Sequence, residues 1–134
     1  MTVCDTSVLV AAFSSWHEHH GLAVAGLERS THLIGHTALE TLSVLTRLPE
    51  PFRAQGALVI EFLDSWFPGR PLALAAAQAH RLPATLVGGG VIGGAVYDGL
   101  VGSTAAGHGH RLLSLDRRAV VTYERIGAEH ELLG

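Results

Sequence analysis

Residues 2–13 read TVCDTSVLVAAF: an apolar lead of Val3 and Cys4, a carboxylate at Asp5, two hydroxyls, and an unbroken apolar run from Val8 to Phe13. Val3 and Cys4 suit a short buried strand, and the run after Ser7 suits a buried helix. A charge at the joint between two buried elements costs free energy unless it is paired or used. Asp5 is therefore the first candidate functional residue.

Working outward, apolar segments alternate in character along the chain. Strands are expected at 2–4, 31–35, 70–74, 111–115 and 128–133, with helices directly after Asp5 and over 17–29, 36–47, 53–66, 75–82, 94–108 and 117–125. Such alternation predicts an α/β domain: a parallel sheet covered by helices on both faces, forming three layers. There is no repeat and no linker, so residues 1–134 are expected to form a single domain. In a sheet of this kind, sites form at the carboxyl ends of strands, where the strand order reverses. Asp5 ends the first expected strand and Asp116 ends RLLSLD, the fourth. With the order 3-2-1-4-5 these two strands are neighbours, and their terminal carboxylates face each other.

Composition narrows the chemistry. Apolar residues make up 48% and charged residues 16%, a balance that builds a large core. No uncharged apolar run approaches the roughly 20 residues that span a membrane. The N-terminus lacks a basic leader followed by a long apolar stretch, so no membrane association and a cytoplasmic location are expected. The single cysteine, Cys4, rules out an internal disulfide and a cysteine-based zinc site, and its setting suits a buried hydrophobe. All nine basic residues are arginine, so chemistry that needs a lysine is absent.

Of the four aspartates, Asp5, Asp98 and Asp116 interrupt apolar stretches, whereas Asp64 in EFLDSWF has the setting of an ordinary helix residue. Glu40 lies in HTALETLSVLTRL, where Leu42, Leu45 and Leu48 form a core-facing stripe with the carboxylate at its edge. Carboxylates brought together raise one another's pKa unless cations neutralise them. Hard oxygen donors call for magnesium or manganese. Such ions activate water and stabilise a leaving oxygen in phosphodiester hydrolysis.

The pieces VCDTSVLV, TALE ending in Glu40, GGAVYDGLVGSTAAGHG around Asp98 and LLSLDRRAVVTYERIG around Asp116 stand in an order and spacing that resemble the PIN-domain ribonucleases, and among them the VapC-type toxins. The resemblance covers essentially the whole chain. It implies the PIN-like sheet of order 3-2-1-4-5 and a Mg2+- or Mn2+-dependent endoribonuclease toxin acting on RNA. It further implies neutralisation by a cognate antitoxin protein, and a homodimer or toxin–antitoxin hetero-oligomer. Asp5, Glu40, Asp98 and Asp116 match the catalytic acids, with Asp5, Asp98 and Asp116 as metal ligands. Thr6, Ser7 and Ser114 are placed to support those acids, although Thr6 and Ser7 equally suit helix capping. Ser114 stands where a threonine is common in the family. Arg117 and Arg118 follow Asp116 and are candidate contacts to RNA phosphates. The alternative function is a PIN-like binding module without catalysis.

Other chemistries fit less well. VCDTSVL also resembles the opening of haloacid-dehalogenase phosphatases, but Ser7 occupies the position of their second aspartate and the lysine is missing. Gly88, Gly90 and Gly93 spell G-x-G-x-x-G, yet the acidic residue expected about 20 positions on is not there, and a loop accounts for the glycines. His17 and His20 in WHEHH are one helical turn apart without a third ligand, and His108 and His110 flank Gly109 as a helix end would. Net charge is −3, but with the four candidate acids set aside, eight acids face nine arginines, a balance compatible with RNA.

Overall fold

Asp5 ends a strand and opens a helix, and the rest of the chain is arranged around that joint. The computed structural model describes all 134 residues. In chain order the elements are β1 (Thr2–Cys4), α1 (Thr6–Phe13), α2 (His20–Arg29), α3 (Gly35–Thr46), α4 (Gly56–Trp66), α5 (Ala76–Gly88), α6 (Ala95–Gly107), β2 (Arg111–Ser114), α7 (Arg117–Arg125) and β3 (His130–Leu132).

The sheet is parallel with three strands in the order β1-β2-β3, Val3 standing opposite Leu112 and Leu113 opposite Glu131. This corrects the expected five-stranded 3-2-1-4-5 order. Segments 31–35 and 70–74 form no strands; two isolated parallel bridges, Val3 to His32 and Ile34 to Leu72, join them to β1 and to each other. The physical reason is local. Helix α3 begins at Gly35, directly after Ile34, so the extended stretch ends before a longer ladder can form.

Successive strand residues point to opposite faces of a sheet, and two cores result. Cys4 and Leu113 join Val8, Leu9, Leu27, Leu45, Val59 and Leu63 beneath α1–α4. Val3 and Leu112 join Val101, Ala119 and Tyr123 beneath α6 and α7. Burying a leucine or valine side chain contributes roughly 1.5–3 kcal/mol, so these two layers carry most of the fold's stability. Cys4 behaves as expected of a small hydrophobe, with burial pushing its thiol up to about 12. Phe67 joins the first of these cores, and Trp66 packs against the same cluster.

Helix α5 extends past the expected stop at 82, through Pro83 to Gly88. Proline forfeits one helical hydrogen bond. The cost is tolerable here because this helix buries only Leu86. Gly88, Gly90 and Gly93 follow a helix and not a strand, with φ of +75° at Gly90 and +64° at Gly93, which fits a turn into α6 and removes the dinucleotide interpretation. No helix is long and apolar enough to cross a membrane.

Close approach of α6 to α7 depends on Gly102, where an added Cβ would lie 2.7 Å from Ile126 Cδ1 and 3.0 Å from Tyr123 Cδ1. Gly102→Leu should therefore destabilise the fold by about 2 kcal/mol or more, despite a gain of up to about 1 kcal/mol in helix propensity. Urea denaturation followed by circular dichroism measures this; unchanged stability would contradict the close packing.

Candidate active site

Asp5 sits at the carboxyl end of β1 and caps α1. Its Oδ1 accepts from the backbone N–H of Ser7 at 3.0 Å and of Val8 at 3.4 Å, and from the Ser7 hydroxyl through a short hydrogen bond. Its Oδ2 accepts from the Tyr123 hydroxyl at 2.8 Å. The residue is only 4% exposed. Burial raises its pKa, while the hydroxyls of Ser114, Ser7 and Tyr123 and the Val8 amide oppose that rise. Helix capping is thus performed by the aspartate itself, and not by Thr6 or Ser7 as their hydroxyls suggested.

Asp116 repeats this construction after β2. Its Oδ1 accepts from the N–H of Arg118 at 2.9 Å and of Ala119 at 3.4 Å, capping α7. The Ser114 hydroxyl accepts from the Asp116 N–H at 3.0 Å and so shapes the turn. Ser7 ties the two strand ends together: its hydroxyl donates to Asp5 and accepts from the Leu115 N–H at 2.8 Å.

The opposite wall comes from helices. Glu40 lies on α3, where its Oε1 accepts from the Thr6 hydroxyl at 3.3 Å and stands 3.1 Å from His36 Nε2. Asp98 lies in the first turn of α6, where the helix dipole favours an anion. Asp5, Glu40, Asp98 and Asp116 line one cleft of about 510 Å3, together with Thr6 and Ser7. No three acidic or imidazole side chains stand in a ligating arrangement. Arg117 and Arg118 are exposed on the first turn of α7, outside the cleft lining.

Electrostatics single out Asp98. Its carboxyl is pushed up to about 6, first by partial burial and then by the charges of Asp116, Asp5 and Glu40. The Asp98 carboxyl thus responds to the charges of the other three as well as to its own burial.

Tyr123, His17, Glu18 and His19 also line the cleft, and the sequence reading assigned none of them to the site. Tyr123 hydrogen-bonds Asp5 across 118 residues of chain, and burial plus the nearby acids drive its phenol far above the ordinary range. His17 and His19 line the cleft, while His20 turns away to bond Ala11 O at 2.9 Å. The unusual WHEHH cluster was the available signal for the histidines; nothing local marks Tyr123.

Residues 2–125 match the PIN domain model. The chain is 50% identical to Ribonuclease VapC40 of Mycobacterium tuberculosis over 133 residues, which is 99% of each chain. It is 40% identical over 124 residues to Ribonuclease VapC27 of the same species, covering 92% of this chain and 90% of the relative. The chain belongs to the PIN-domain family, and within it to the VapC type.

The raised Asp98 pKa has a sign that can be measured in metal-free buffer. Below about pH 4 the group is protonated in the folded and unfolded chain alike, and above about pH 6 it is ionised in both. Between those limits the folded chain holds the proton longer, so stability falls as pH rises. Asp98→Asn should flatten that fall and leave the protein about 1 kcal/mol more stable than the parent at pH 7 in chelator, after discounting for solvent screening. Urea melts across pH 4–7 test this, and a parent whose stability rises through the window would contradict it.

Proposed function

We propose that the chain is a Mg2+-dependent endoribonuclease toxin that hydrolyses RNA phosphodiester bonds and is silenced by a cognate antitoxin. The observation that carries this is the convergence of Asp5, Glu40, Asp98 and Asp116 from separate parts of the fold on one cleft, where partial burial and then the charges of the other three push the Asp98 carboxyl up to about 6. The VapC-type relatives, both ribonucleases by name, support the same reaction class.

The donor set fits a hard divalent cation. Asp5, Asp98 and Asp116 offer carboxylate oxygens, and a cation among them relieves the repulsion that raises Asp98. Magnesium or manganese, when bound, supplies water activation and neutralisation of phosphate charge. The chain's own residues supply the positioning. Ser7, Val8 N–H and Tyr123 hold Asp5 in a single orientation, and the α7 amides hold Asp116. Glu40, steadied by Thr6, completes the acidic wall as the fourth catalytic acid. Ser114 shapes the turn that carries Asp116, and Arg117 and Arg118 beside it are available to phosphates at the rim.

Silencing follows from the same charge. An arginine or lysine from a partner, entering among the acids, competes with metal; arginine suits because its fork binds carboxylate bidentately and stays charged. Assembly as a homodimer or as a toxin–antitoxin hetero-oligomer belongs to this proposal. Exposed Val87 and Ile92, at the end of α5 and in the turn after it, support it as apolar surface left uncovered.

Asp5→Asn, Asp98→Asn and Asp116→Asn should each lower RNA cleavage at least about a thousandfold while the circular dichroism spectrum is retained, since one carboxylate donor of the site is lost. Cleavage of total RNA, with 5′-end sequencing, gives the readout; full activity in all three would exclude the acidic site. Co-purified complex with the antitoxin should be inactive and bind magnesium weakly by calorimetry, regaining both after proteolysis of the antitoxin tail. A complex with undiminished activity and magnesium affinity would rule out silencing by charge.

A further inference from the structure

Beside the acidic cleft lies a second cavity of about 250 Å3, lined by His36, Glu40, Ser43, Val44, Arg47 and Tyr97. Glu40 and Val44 line both cavities, so the two are continuous along α3. Their chemistry differs sharply. The larger cleft is lined by five carboxylates, Glu18 among them, and no arginine, whereas the smaller one is lined by Arg47. Arg47 is exposed and takes part in no salt bridge. Tyr97 lies parallel to the His36 ring, with centroids 5.5 Å apart and 6° between the planes, yet remains 57% exposed. A flat aromatic ring, backed on one side and open elsewhere, therefore shares a cavity with an unpaired guanidinium.

We propose that this second cavity is a nucleotide subsite, in which Tyr97 stacks an unpaired base of the RNA and Arg47 binds the phosphate that follows the one in the acidic cleft. The assignment presupposes the RNA-cleaving function proposed above. A polyanion approaching five carboxylates is repelled, so its neighbouring phosphates need a cation close by, and Arg47 is the only guanidinium lining either cavity. Arginine meets phosphate oxygens with two parallel N–H donors. Stacking on an aromatic ring accepts any base, but the base must first leave a duplex stack. Ser43, on the same rim, adds a hydroxyl within the cavity. The wall shared through Glu40 and Val44 suits consecutive nucleotides of one strand.

The test compares the parent protein with Arg47→Gln, Arg47→Lys, Tyr97→Leu and Tyr97→Phe, using a single-stranded oligoribonucleotide pool randomised at every position and the same pool annealed into duplex. With magnesium present, Arg47→Gln and Tyr97→Leu should each raise KM on the single strand about tenfold. Arg47→Gln should also reduce the slope of log binding against log salt by about one, whereas Tyr97→Leu should not. Arg47→Lys should keep the slope, and Tyr97→Phe should keep the KM. Unfolding temperature and magnesium affinity, measured alongside, should match the parent for all four variants and report an intact fold and acidic site. If the parent cleaves the pool but KM and salt slope are unmoved in both Arg47→Gln and Tyr97→Leu, the subsite is overturned and the RNA reaction stands. If the parent cleaves no RNA in magnesium or manganese, both fall together.

Discussion

The structure depends on keeping one buried carboxylate in place. Asp5 lies between two apolar elements, where an unpaired charge would be strongly destabilising. It is made tolerable by donors from two distant parts of the chain: the first-turn amides and Ser7 hydroxyl of α1, and the Tyr123 phenol of α7. Each of these bonds also fixes a piece of architecture. Ser7 spans β1 and the chain after β2, and Tyr123 draws α7 down onto the second core. Satisfying the charge and closing the fold are the same event.

The helix caps explain how a small domain aims its acids. A capping aspartate spends one oxygen on helix amides, which fixes the side chain through backbone geometry and not through long-range packing alone. Asp5 and Asp116 are both held in this way, at the ends of adjacent parallel strands. Their positions therefore follow from the strand register, in which Thr2 stands opposite Arg111 and Cys4 opposite Leu113. Asp98 and Glu40 come from the facing helices, and the Asp98 carboxyl, partly buried and near the other acids, is pushed up to about 6.

Charge is divided across the molecule in the same spirit. The net charge of −3 conceals an uneven distribution, because five of the acids are concentrated in one cleft and the arginines are spread over the exterior. Arg29 pairs with Glu131 and Arg53 with Glu50, whereas Arg47, Arg117 and Arg118 stay unpaired on the side chains nearest the acids in sequence or in space.

Much of the site was legible in the sequence because its acids sit at element ends or within apolar periodicity, signals contained in windows of a dozen residues. Asp5 in TVCDTSVLVAAF, Asp116 at the end of RLLSLD, and Asp98 and Glu40 amid apolar neighbours were all marked in that way, and the structure places them around one cleft. Alternating strands and helices likewise announced a parallel sheet with helices on both faces. Tertiary structure alone decided that segments 31–35 and 70–74 would give bridges in place of strands, because ladder length depends on which partners come within reach before α3 begins at Gly35. It alone brought Tyr123 to Asp5 across 118 residues, and carried His17 and His19 to the cleft and Arg47 to the cavity adjoining it. Local sequence determines the residue that ends a strand or caps a helix; which distant donor meets a buried charge is settled only when the layers pack.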